Sequence, residues 1–105
     1  MLEGLLGNKS AEKVMLALYA NDELHASAIA EIYQTALDPI KKQLERFEEA
    51  GFLVSRMAGR SRLYSFNEKH PIVEPLRELL AIAYKNESKK MKKNIKLEHT
   101  PTREL

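Results

Sequence analysis

Three arginines crowd one short stretch of this chain. Residues 55–63 read SRMAGRSRL and hold Arg56, Arg60 and Arg62 with no acid among them, a local charge of +3. A tight turn at Ala58-Gly59-Arg60-Ser61 needs its glycine, but it does not need three guanidinium groups. With no acid nearby in sequence, these groups and the Ser61 hydroxyl suit a surface that tracks a phosphate backbone or enters a minor groove. Arg56 and Arg62, near the base of the hairpin, are expected to share one face. The competing reading is a charged edge that keeps strands from pairing with those of other molecules.

A second set lies just upstream. Leu37, Ile40, Leu44 and Phe47 recur at spacings of three and four, and Ile40, Leu44 and Phe47 make the buried stripe of a helix. At about 100° per residue Lys42 points away from that stripe, and Lys41 and Arg46 lie on its flanks. These bases suit phosphate or guanine, and Gln43 suits adenine. Thr35, at the start of the segment, joins the candidates. The plainer alternative is a solvated helix face whose lysines pair with Glu45 and Glu49. Residues 38–50 hold three bases and four acids, a net charge of −1, which keeps that alternative open.

The elements that would position these groups follow from periodicity and punctuation. Ser10 is the expected N-cap of a first helix running to about Ala20, with Ala11, Val14, Met15 and Leu18 on its inner face. Glu23-Leu24-His25 is a single strand-like step. Ala28, Ile29, Ile32 and Tyr33 lie on one side of a short second helix, and Gln34-Thr35-Ala36 forms the turn. The third helix is capped either by Thr35 with Asp38 or by Asp38 with Pro39 at the first helical position. Gly51 ends it, where a left-handed backbone is cheapest without a side chain. Two strands then flank the arginine-bearing turn, Leu63 and Ser65 alternating with Tyr64 and Phe66.

After His70-Pro71 a last helix carries Ile72, Leu76, Leu79, Leu80 and Ala83 on an apolar stripe, continuing to about Asn94 with Pro75 in its first turn. A compact unit is nearly complete before this helix, so those five residues are assigned to a homodimer interface. Residues 85–96 hold six lysines against Glu87, a charge of +5, and read as a solvated end that adds nonspecific affinity for nucleic acid. The expected division is a winged helix-turn-helix over 1–70, a dimerisation helix over 71–94 and a flexible tail over 95–105. The fold class is mainly α with a small β-hairpin.

Composition narrows the chemistry. The 105 residues are 44% hydrophobic and 30% charged with a net charge of +2, which fits one charged-surfaced domain. No cysteine is present, which removes disulfides, thiolate ligands and cysteine nucleophiles. No apolar run approaches the roughly 20 residues needed to cross a bilayer. No signal peptide is expected at MLEGLLGNKS, and the expected compartment is the cytoplasm. His25, His70 and His99 share no ligand spacing. His70, Glu74 and Glu78 fall at fourfold spacing, but Pro71 and Pro75 spoil the helix geometry. No glycine-rich phosphate loop or nucleophile arrangement is present, so neither an enzyme nor a cofactor is expected, and no metal.

These residues carry a resemblance. LERFEEAGFLVSRMAGRSRLYSFN, Leu44 to Asn67, resembles the recognition-helix and wing segment of ArsR-like winged-helix regulators, and the likeness extends from about Lys9 to Leu80. It implies that Thr35 through Arg46 enters the major groove and that the hairpin at Gly59-Arg60 is the wing. Metal sensing does not carry over, because sensors of that family use cysteine or aspartate–histidine sets. Ala36-Leu37 also replaces the serine-rich opening common there. LYSFNEKHPIVEPLRELL, Leu63 to Leu80, is similar to the winged helix that precedes a minimal nucleotidyltransferase domain in some prokaryotic proteins. The expected function is that of a dimeric regulator bound to double-stranded DNA. The alternative is a winged-helix adaptor that docks onto a protein partner, such as a nucleotidyltransferase-type protein.

Overall fold

Asn8, not Ser10, opens the first long helix. In the computed structural model, which describes residues 1–96, the Asn8 side chain accepts a hydrogen bond from the Ala11 amide at 2.7 Å and caps α2, Lys9–Ala20. Asparagine and serine are equally good caps, and the extended backbone of Asn8 takes the role. A single turn, α1 (Glu3–Leu6), precedes it. Six consecutive-turn residues of α2 are buried, Ala11 and Val14 through Leu18, so this helix forms the centre of the molecule. Its run of small and branched apolar side chains allows neighbours on several sides, and it packs against the helices that follow.

A two-residue strand, β1 (Leu24–His25), leads into α3 (Ala26–Tyr33). Gln34 then takes a left-handed conformation with φ 51, and Thr35 donates its amide to the Ala30 carbonyl at 3.0 Å. These two residues turn the chain into α4, Leu37–Glu49. Gly51, φ 93, closes α4: its amide reaches the Glu48 carbonyl at 3.0 Å, and the Phe52 amide reaches the Phe47 carbonyl at 2.9 Å. That double bond pattern satisfies the last carbonyls of the helix and requires positive φ at the glycine.

The hairpin of β2 (Leu53–Ala58) and β3 (Ser61–Phe66) follows, and β1 pairs with the far edge of β3 to give the order β1-β3-β2, all antiparallel. Leu53, Tyr64 and Phe66 are buried beneath this small sheet. Arg56 lies opposite Leu63, whereas Arg62 lies opposite Met57. Side chains directly across a ladder share a face and neighbours along a strand do not, so Arg56 and Arg62 occupy opposite faces of the wing. The expectation of a shared face is corrected.

The last helical segment is two helices. α5 (Val73–Lys85) takes Pro75 as its third residue, where no amide is missed. It stops at Asn86, whose side chain turns back to the Ile82 carbonyl at 2.8 Å. Ser88 then caps a new helix, α6 (Lys89–Ile95), by accepting from the Met91 amide at 3.1 Å. A continuous helix to Asn94 was expected, but this cap restarts the backbone in a new direction. α6 folds onto the body through Ile95, which is fully buried, and the Asn21 side chain donates to the Ile95 carbonyl at 2.8 Å. The expected tail over 95–105 therefore begins too early, while 97–105 lies outside the described residues.

Winged helix-turn-helix is the fold: three helices in sequence, a short left-handed turn between the last two, and a hairpin that returns beside them.

Candidate nucleic-acid interface

α4 presents the expected faces. Ile40, Leu44 and Phe47 are buried, and Lys41, Lys42 and Glu45 are exposed. Its opening differs from both expected caps. Ala36 is the N-cap and offers no side-chain acceptor, Asp38 is the second helical residue and Pro39 the third. Pro39 sits where an amide would lack a partner anyway, so it costs nothing there. The open leading turn therefore shows Ala36, Leu37 and Asp38 to solvent.

Arg46 and Gln43 are used inside the fold. Arg46 donates to the Leu6 carbonyl at 2.9 Å and to Gln43 Oε1 at 3.0 Å, with its guanidinium 4.6 Å from the centre of the Phe47 ring. The arginine fastens α1 to α4, since the Leu6 carbonyl at the end of a single-turn helix needs a donor. Arg46, exposed on α4, thus holds the amino-terminal segment, and Gln43 is tied to it only through Arg46.

Arg56 is neutralised. Its Nε and Nη2 meet the two carboxylate oxygens of Glu23 at 3.0 and 2.9 Å. The pair holds the Glu23 carboxyl below its ordinary range and raises Arg56, in each case chiefly through the hydrogen bonds between them. Residues 55–63 contain no acid, but the fold brings one from 33 positions upstream by pairing β1 with β3. The premise of three unneutralised arginines is overturned at this residue.

What remains forms a cleft of about 460 Å³ between the leading half of α4 and the wing. Lys41 and Glu45 line it from α4, and Arg60, Ser61 and Arg62 from the hairpin. Arg62 donates to Ser55 Oγ at 3.0 Å, and that hydroxyl donates to Glu48 at 2.6 Å, so the wing is strung to the end of α4. Among the described residues Lys41 and Arg60 form no ion pair within the geometry of a salt bridge. Tyr64 forms part of the floor; burial pushes its phenol up, and the Glu48 and Glu45 carboxylates add to that.

Of the expected contact residues, the cleft gathers Lys41, Arg60, Ser61 and Arg62. Lys42 stands on the exposed face of α4 outside it, and Thr35 is half-buried in the turn. The lining also includes residues outside the expected set, among them His25, Ser27, Leu37 and Met57. His25 and Ser27 gave no signal because only the β1–β3 pairing brings them to the wing. Leu37 gave none either, because its spacing places it in series with Ile40, Leu44 and Phe47, and only its position at the open end of α4 leaves it exposed.

The apolar stripe assigned to a dimer is split. Leu80 and Ala83 are buried in the chain's own core, against α2, and are unavailable to a partner. Leu76 and Leu79 pack on that core while remaining partly exposed, and Ile72 is openly exposed, as is Ile82, which was not assigned. Among the described residues no group of three His, Asp or Glu is placed to hold a metal, and no helix is long and apolar enough to cross a membrane.

No protein-family model and no curated protein matches the chain. Among solved structures it is similar to reduced HlyU from Vibrio cholerae N16961, with a TM-score of 0.63, covering 79% of this chain and 84% of that one at 17% identity. At this identity the likeness speaks to the arrangement of helices and wing: the chain has a winged helix-turn-helix fold.

Proposed function

We propose that the protein is a DNA-binding transcription regulator that acts as a homodimer. The observation that carries this reading is the cleft in which Lys41 of α4 and Arg60, Ser61 and Arg62 of the wing converge. A helix end and a basic hairpin side by side match a major groove and its adjoining backbone: the helix meets base edges and the hairpin meets phosphate. Lys42 extends the basic face beyond the cleft. The resemblance of Leu44 to Asn67 to ArsR-like regulators points the same way. A dimer placing two such clefts on one duplex uses Ile72, Leu76 and Leu79, joined by Ile82, as its self-complementary face.

One observation favours a second reading, a winged-helix adaptor for a protein partner. α4 has more acids than bases, and Asp38 stands in its exposed leading turn. The deciding experiment is binding of labelled duplex DNA across a salt series, with the mass of the free protein measured in solution. A dimer whose affinity falls by roughly 0.9 decades per decade of salt for each phosphate neutralised supports the regulator. Absence of binding at low salt decides for the adaptor.

A further inference from the structure

Seven large apolar side chains are exposed among the described residues, and two of them, Leu37 and Met57, line the basic cleft. Leu37 is 42% exposed as the first residue of α4, the end of the helix that a major groove receives. Lys41 follows one turn later on the same edge, so an apolar tip leads and a cation trails. The leading turn has no hydroxyl or amide side chain on α4: Ala36 and Leu37 come first, then the acceptor-only Asp38. A leading turn built this way cannot read bases through serine- or asparagine-type hydrogen bonds. The major-groove edge offers one apolar group, the C5 methyl of thymine.

We propose that Leu37 is a specificity-determining residue that selects thymine by packing against its C5 methyl, while Lys41, Arg60 and Arg62 hold the flanking phosphates. The proposal rests on duplex DNA being the ligand of the cleft. Charge complementarity chooses that occupant: Lys41, Arg60 and Arg62 outnumber Glu45 in the cleft lining, and the apolar group sits at the leading end of α4. Covering one methyl is expected to change affinity about fourfold.

The test begins with the full chain enriching duplexes from a randomised pool at low salt. Enriched duplexes are resynthesised with deoxyuridine in place of one thymidine at a time, which deletes the methyl and leaves every hydrogen-bonding group. The wild type is expected to lose about fourfold affinity at one or two positions. Leu37→Ala is expected to bind thymine and uracil forms equally, with the wild-type salt slope. Alanine is the best helix former and Leu37 is exposed, so this variant keeps the fold, which a melting curve checks. Equal affinity for both forms at every position in the wild type overturns the proposal and leaves DNA binding standing. So does an enriched site without thymine, or a uracil effect that persists in Leu37→Ala. If no duplex is retained at low salt, DNA binding itself falls, and the proposal with it.

Discussion

Replacing Arg60 with alanine removes the wing guanidinium that neither an acid nor a hydroxyl engages among the described residues, whereas Arg56 is held by Glu23 and Arg62 by Ser55. Arg60 is exposed beside Gly59, whose φ of 69 makes the turn, so its loss leaves the hairpin backbone intact. If it neutralises one phosphate, the double-log salt slope falls by about 0.9. Between about 50 and 200 mM salt, a fourfold change, the wild-type advantage over the variant then shrinks by about 3.5-fold. Fluorescence anisotropy of a labelled duplex, repeated on unrelated sequences, reads this directly, and the change is expected to be the same on all of them. Arg56→Ala is the paired control and leaves the slope unchanged. Glu23→Gln does the opposite: it frees Arg56 and steepens the slope. Acid does not stand in for that substitution near neutral pH. The Glu23 carboxyl is depressed by Arg56, so the pair's contribution is complete above the ordinary carboxylate value and is lost only as pH falls through the lower folded value. An unchanged slope in Arg60→Ala, or a reduced slope in Arg56→Ala, refutes the division of the wing into engaged and free arginines.

Three stability predictions follow from the packing. Leu80→Ala, at a fully buried position, is expected to cost about 2–5 kcal/mol in urea unfolding of the protein, a loss that persists at dilutions where any dimer dissociates. Gly51→Ala places a Cβ 3.3 Å from His70 Cδ2 at φ 93, and a melting curve is expected to show a loss of about 1–2 kcal/mol. Asn21→Ala removes the donor to the Ile95 carbonyl and is expected to cost about 1–3 kcal/mol. Hydrogen exchange should then show α6 opening more readily while α2 and α4 stay protected.

The elements were legible wherever the determining signal is local. Ile40, Leu44 and Phe47 recur with the period of the helix they form, and Gly51 marks its end because only a glycine takes φ 93 at no cost. Caps were harder, since Asn8 and Ser10 are chemically equivalent signals two residues apart and the packing of α2 chooses between them. The Asn86–Ser88 break was written in residues that favour caps and turns, but the lysines on either side continue a helical propensity across it. The stripe from Ile72 to Ala83 shows a different limit. Periodicity tells which side chains share a face, and it is silent on whether that face meets the same chain or another. Leu80 and Ala83 turned out to complete their own core.

The candidate site was legible in composition and illegible in pairing. Counting charges along residues 55–63 treats three arginines alike, yet the fold sorts them by their neighbours. Glu23 reaches Arg56 because β1 adds to the edge of β3; Glu48 reaches Arg62 through Ser55; Arg60 projects from the turn beyond both. An arginine already held by a carboxylate brings no net charge to a phosphate and releases fewer counterions when DNA binds. The useful charge of the wing is therefore set by sequence-distant acids, and its reach by which side of the ladder each arginine occupies. The same logic explains why Leu37 escapes a search for chemistry. It has no charge or hydrogen-bonding group, and its meaning comes from standing at the exposed tip of α4 with cations around it.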